Sequence, residues 1–135
     1  MARTPRSSDL TVRAVARWGE DEAERYLRRL GWTVVARNWH CRYGEIDLIA
    51  RDGRETVFVE VKTRRGNSFG SPEEALTPTK RRRLLRSAWT YLEGSESTDV
   101  AWRFDVLAIE GRPGRRPDRL DHYRDAIALD EDAFR

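Results

Sequence analysis

The sequence predicts an α/β domain in which helices flank a mixed central sheet. Three observations lead there: two segments with apolar residues at helical spacing, three strand-like segments in close succession between them, and a further strand after the second helix. At 135 residues the chain suits one domain that buries a core without staples. Residues 1–12 read as a flexible basic arm, 13–128 as the domain and 129–135 as an acidic tail.

From residue 12 to 30, Val12, Val15, Ala16, Gly19, Ala23, Tyr26, Leu27 and Leu30 recur at helical spacing, and Gly31 ends the segment. Strands follow at 32–39 (WTVVARNW), 42–50 (RYGEIDLIA) and 55–63 (ETVFVEVKT), with RDGR marking a hairpin turn between the last two. Residues 66–80 read as a loop holding one helical turn, with Ser71 as N-cap, Pro72 at N1 and Glu74 closing a capping box. The second helix starts near Pro78 and carries Leu84, Leu85, Ala88, Trp89 and Leu92 on one face. AWRFDVLAI is the next strand, the loop EGRPGRRPDR follows, and a last strand is expected near HYRDAIAL.

Composition narrows the function. Hydrophobic residues make up 39% and charged residues 36%, and no run approaches the roughly 20 apolar residues a bilayer span needs, so a soluble protein is expected. The Arg-rich N-terminus lacks an apolar secretion segment, and Cys41 is the only cysteine, which suits a reducing, cytoplasmic setting. The formal net charge is +3, but of 26 basic residues only Lys62 and Lys80 are lysine. Guanidinium forks suit phosphate, although a compositional bias toward arginine would fill the surface the same way.

Alternation puts Phe58, Glu60 and Lys62 on one face of the third strand, opposite Val57, Val59 and Val61. In the preceding strand Glu45, Asp47 and Ile49 share a face, opposite Ile46, Leu48 and Ala50. Pairing across the RDGR turn then brings Asp47 beside Glu60 and Lys62. A solvated sheet face is the plain alternative, but Phe58 and Ile49 make this face partly apolar and imply a cover, under which charges need compensation. Two carboxylates with a lysine are the parts of Mg²⁺-assisted phosphodiester hydrolysis, and a lysine in an arginine-rich chain points to a demand for a compact, titratable amine.

GEIDLIA followed by VFVEVKT resembles the Asp and Glu-x-Lys elements of the PD-(D/E)XK nucleases, with their restriction-endonuclease-like αβββαβ core. More closely, WGEDEAERYLRRLGW, ARNWHCRYGEIDLIARDG, VFVEVKTR, EEALTPTKRRRL and RFDVLAI are similar, in order, to the YraN-type family of nuclease-like proteins. The resemblance implies a DNA endonuclease that uses Mg²⁺ or Mn²⁺ on branched, single-stranded or otherwise non-B-form DNA. It makes Asp47, Glu60 and the Val61 backbone metal ligands and Lys62 the catalytic lysine. The motif's proline is replaced by Ile46. Among related junction-resolving nucleases a helix-borne Glu lies near the metal, which singles out Glu20, with Glu24 as runner-up and a solvated face as the plain alternative.

Lys80 lies four and eight residues before Leu84 and Ala88, near a helix N-terminus where a phosphate can be met. With Arg64, Arg81, Arg82, Arg83, Arg86 and Arg115 it forms the expected nucleic-acid surface, nonspecific in its contacts with the backbone. His40 and Cys41 lack the spacing of a zinc motif, and Trp32, Trp39, Trp89 and Trp102 read as core. Asp105, in mid-strand, reads as the partner of a buried cation. A non-catalytic nucleic-acid-binding module and a protein-interaction scaffold are the competing functions, and the sequence leaves monomer and homodimer open.

Overall fold

The computed structural model describes residues 7–64, 76–95 and 100–127. Its elements are α1 (Ser7–Arg29), β1 (Thr33–Cys41), β2 (Gly44–Asp52), β3 (Glu55–Arg64), α2 (Pro78–Gly94), β4 (Trp102–Glu110) and β5 (Arg119–Tyr123). The five strands form one sheet in the order β1-β2-β3-β4-β5. Only β3 and β4 run parallel, joined by the crossover through α2; the other three pairs are antiparallel. This is an αβββαβ core extended by one edge strand.

Each sheet face is covered by one helix. On one side Leu84, Leu85, Ala88 and Leu92 of α2 pack on Ile46, Ile49, Phe58, Phe104 and Val106. On the other, Trp18, Ala23 and Leu27 of α1 pack on Leu48, Ala50, Val57, Val59, Leu107 and Ile109. Strands buried on both faces read as nearly continuous apolar runs, as VFVEV and FDVLAI do.

Several boundaries differ from the sequence-based ones. Helix α1 begins at Ser7, inside the segment expected as an arm, because apolar spacing marks only the packed part of a helix. Ser87, not Trp89, lies inward on α2. Trp89 is 37% exposed, since it falls at the margin of the stripe set by Leu84, Ala88 and Leu92. The last strand is Arg119–Tyr123, earlier than HYRDAIAL, and it returns directly along β4 from Glu110↔Arg119 to Val106↔Tyr123. Asp125, at φ 52°, turns the chain out of the ladder. The expected capped turn at 71–74 and the acidic tail lie outside the described residues. No helix among the described residues is long and apolar enough to cross a membrane.

Candidate active site at the diverging end of β2 and β3

The β2–β3 ladder runs from Asp52↔Glu55 to Leu48↔Val59 and stops there. Beyond it, Asp47 replaces backbone pairing with its side chain: the Val61 N–H donates to Asp47 Oδ2 at 2.8 Å. In β3, Thr56 N–H donates to Ala101 and Arg64 C=O accepts from Gly111, so the even-numbered residues turn their backbone groups to β4. The odd-numbered ones, Val61 included, turn theirs to β2, since N–H and C=O of one strand residue point the same way. The Val61 carbonyl therefore faces the gap that holds the Asp47 carboxyl.

Simple alternation does not survive at this point. Ile46 and Ile49 both join the core under α2, whereas Leu48 and Ala50 join the core under α1. Asn38, between the pairs Arg37↔Leu48 and Trp39↔Ile46, stands opposite Asp47 with φ 51°. A left-handed residue there bends the β1–β2 ribbon and re-aims the side chains around Asp47. Placing Ile46 on the same face as Leu48 was thus incorrect, while Ile49 and Phe58 do lie under a cover, which is α2.

Glu60 is 7% exposed on the α2 side. The only two lysines of the chain meet it: Lys80 Nζ lies 3.0 Å and Lys62 Nζ 3.4 Å from the same oxygen, Oε1. Lys80 gets there because Thr77 caps α2, accepting the Lys80 N–H at 3.2 Å, and Pro78 fixes the first turn. Lys80 is then the first-turn member of the inward line continued by buried Leu84 and Ala88.

Charge is unevenly compensated. Burial first, then the adjacent Glu60 carboxyl, push Asp47 up to about 7 against the Val61 hydrogen bond, and Glu20 adds to the push. Burial and the neighbouring Lys80 lower Lys62, outweighing its attraction to Glu60. Burial also works against the charge on Lys80, but its hydrogen bond with Lys62 and the Glu60 and Asp47 carboxyls raise it overall. The two amines are thereby shifted in opposite directions.

Glu20 stands at the rim of this site, 3.1 Å from Asn38 Nδ2 and 3.6 Å from Arg37 NH2, whereas Glu24 pairs with Arg28 at 3.8 Å. Gly19 makes the approach of α1 feasible. A Cβ there would overlap the Thr63 hydroxyl, so only glycine lets the helix lie directly on β3. Neither Gly19 nor Asn38 was marked as part of the site. The available signals were a glycine inside a helical stripe and an asparagine inside a strand.

The expected basic residues separate into groups. Arg82, Arg83 and Arg86 line a cleft of about 540 Å³ with Thr79 and the β1–β2 turn. Arg81 does not line it, and its buried Nε lacks a hydrogen-bond partner among the described residues. Arg64 ends β3, and Arg115 lies on the β4–β5 loop, where its carbonyl accepts from Trp18 Nε1 at 3.0 Å.

The donor set is hard oxygen: two carboxyls and one carbonyl. No group of three or more His, Cys, Asp or Glu is gathered for a metal among the described residues. Such a set fits Mg²⁺ or Mn²⁺, which take one or two carboxylates and fill the remaining positions with water and phosphate. It lacks the histidine and cysteine ligands on which zinc sites are usually built.

A mixed sheet in αβββαβ order, with an Asp on the second strand and a Glu-x-Lys on the third, defines a restriction-endonuclease-like domain. The chain belongs to the uncharacterised protein family UPF0102, the YraN family, which matches residues 19–109. A UPF0102 protein of Nocardia farcinica is 51% identical over 111 residues, covering 82% of this chain and 87% of that protein. Relatives of the same description in Rhodococcus jostii (50% identical over 114 residues, 84% and 96% covered) and Herpetosiphon aurantiacus (43% over 122, 87% and 96%) match over a similar length.

Proposed function

We propose that this protein is a metal-dependent endonuclease that hydrolyses DNA phosphodiester bonds, with branched or otherwise non-B-form DNA as its substrate class. One observation carries the reading: in a chain whose cations are otherwise all arginine, both lysines converge on Glu60, next to an Asp47 held short of positive charge. Ordinary ion pairing gives no reason to choose lysine twice at one place in such a chain.

Asp47, Glu60 and the Val61 carbonyl would hold Mg²⁺ or Mn²⁺. When bound, the cation supplies Lewis acidity toward a phosphate oxygen and acidifies nearby water. Lys62, whose ammonium burial makes easier to deprotonate, can orient the attacking water and exchange a proton with it. Lys80, biased toward the ammonium, neutralises charge that develops on the phosphoryl oxygens. Glu20 at the rim contributes negative charge through which a further cation or a water is positioned. Arg64, Arg82, Arg83, Arg86 and Arg115 surround the same end of the sheet and would draw in the phosphate backbone.

The test is cleavage of linear duplex, single-stranded, flapped and four-way-junction DNA with Mg²⁺ and with Mn²⁺, beside a Glu60→Ala control. Metal-dependent cleavage that disappears in the control is expected. Salt-sensitive binding with no cleavage of any substrate by either metal would replace hydrolysis with a non-catalytic binding role.

A further inference from the structure

The β4–β5 loop, residues 111–118, carries a basic surface that the hydrolytic chemistry does not use, and it is held in one shape from several sides. The Gly111 N–H donates to the Arg64 carbonyl at 3.0 Å and the Asp118 N–H to the Glu110 carbonyl at 2.8 Å, which closes the base of the loop. Pro113 and Gly114, the latter at φ 86°, take the second and third positions of a turn in which the Arg115 N–H donates to the Arg112 carbonyl at 3.3 Å. Those are the residues a type II turn asks for. Trp18 of α1 is buried against the loop: its Nε1 donates to the Arg115 carbonyl at 3.0 Å, and a Cβ at Gly111 would stand 2.7 Å from its ring. This shape presents Arg112, Arg115 and Arg116, all exposed. Arg25, Arg37, Arg103 and Arg119 each meet a carboxylate, whereas these three meet none among the described residues, although Asp118 stands in the same loop.

We infer that this loop is a preformed clamp for the phosphate backbone of a DNA duplex beside the cleaved bond; the inference rests on the proposed nuclease reading. The parallel ladder runs through Lys62↔Ala108 to Arg64↔Glu110, so the loop leaves β4 at the end of the sheet where Lys62 lies. Trp18 holds it from the α1 side, while Arg82 and Arg83 lie on α2, which covers the other face. Backbone contacts at both places stretch the DNA across the end of the sheet, between the two helical layers. The chemistry selects a duplex. The loop offers guanidiniums but no exposed aromatic ring, and sites for single strands add rings on which bases stack. Duplex DNA presents one charge per about 1.7 Å, and guanidiniums already fixed in place meet it without the ordering cost of a mobile loop.

The experiment is fluorescence anisotropy without divalent cation, across about 50–200 mM salt, with a short labelled duplex and with oligo(dT). It compares wild type, Arg112→Ala/Arg115→Ala/Arg116→Ala, and Arg29→Ala/Arg51→Ala/Arg54→Ala, which removes the same charge from the end of α1 and the β2–β3 hairpin at the opposite end of the sheet. The loop variant should bind the duplex at least about tenfold more weakly, with a log–log salt slope shallower by about two to three, and lose less on oligo(dT). The control should keep a slope within about one of wild type. Equal slopes for loop variant and wild type, or the same change in the control, overturn the clamp; an equal loss on oligo(dT) overturns the duplex assignment. Sedimentation with phosphatidylserine vesicles that depends on these arginines, with duplex affinity unchanged, assigns the loop to a lipid surface instead. If Glu60-dependent cleavage accompanies any of these failures, the nuclease reading stands without the clamp. If wild type binds no duplex even at low salt, both fall.

Discussion

Replacing Asp47 with Asn tests whether the site is built to be short of positive charge. The folded-state value of about 7 lies above the ordinary 3.8. The folded protein therefore holds a proton that the unfolded chain releases, and stability declines as pH rises between those values, then levels off. The gap of about three units sets a ceiling of roughly 4 kcal/mol at about 1.36 kcal/mol per unit. Sharing of the titration with Glu60 brings the expected loss to roughly 1–3 kcal/mol. Asn cannot ionise, yet its carbonyl can still accept from Val61 N–H and its amide can donate to Glu60. Without divalent cation, Asp47→Asn should match wild type near pH 4 and exceed it near pH 8 by about 1–3 kcal/mol, which is several degrees in Tm for a domain this size. Added Mg²⁺ at pH 8 should raise the Tm of wild type and leave the variant unmoved. Thermal melts across this pH range, with and without Mg²⁺, decide the matter. Parallel pH profiles for the two proteins, or a variant less stable at pH 8 than wild type, would refute the argument.

Lys62→Arg keeps the charge but replaces a titratable amine with a fork that stays protonated. Metal-dependent cleavage should fall by about two to four orders of magnitude, with Tm and DNA affinity little changed. Gly19→Ala should cost about 1–3 kcal/mol in denaturant unfolding through its overlap with Thr63, and Thr63→Ala in the same chain should recover most of that loss. Asp105→Asn should destabilise by about 3–5 kcal/mol, because it strips the buried partner from Arg103 and His122. An Asp105→Asn melt within a degree of wild type would show that this cluster contributes little.

The fold was legible because its signals are local. VFVEV and FDVLAI read as strands, the hairpin turn marked by RDGR closes at the pair Asp52↔Glu55, and Thr77-Pro78 starts α2 near the expected place. The neighbourhood of Glu60 and Lys62 was also legible, since a period of two puts them on one face of β3, whereas Asp47 lies beyond the last β2–β3 pair, where alternation breaks. What remained hidden depends on contacts between distant segments. Asn38 bends the ribbon only in the context of its pairing with β2, so strict alternation misplaced Ile46. The involvement of Gly19 depends on Thr63, 44 positions later, coming to rest against it. Lys80 could be assigned to the inward line of α2, but not to the same oxygen of Glu60 that Lys62 meets, because residues 65–77 separate it from β3.

Asp105 supplies the internal comparison that gives the state of Asp47 its meaning. Both are aspartates in the central part of one sheet, and both are removed from water, which by itself raises a carboxyl. Around Asp105 that push is overcome: His122 Nε2 lies at 2.7 Å, Arg103 Nε donates at 2.9 Å and the Asp125 N–H donates at 3.0 Å, leaving it lowered. Arg103 continues to Glu55 at 2.6 Å and stacks 5.3 Å from the Trp32 ring, so every member of the cluster has a partner. Around Asp47 the push is reinforced, by Glu60 and by Glu20, and the two lysines meet Glu60 instead. The same fold therefore saturates the buried Asp105 with cationic donors, and at the half-buried Asp47 directs its two lysines to the neighbouring Glu60. A carboxylate that serves structure is left nothing to bind, whereas Asp47 keeps an unmet demand for positive charge, directed into the gap it shares with the Val61 carbonyl. On the proposed nuclease reading, a divalent cation would meet that demand alongside the Val61 hydrogen bond already made.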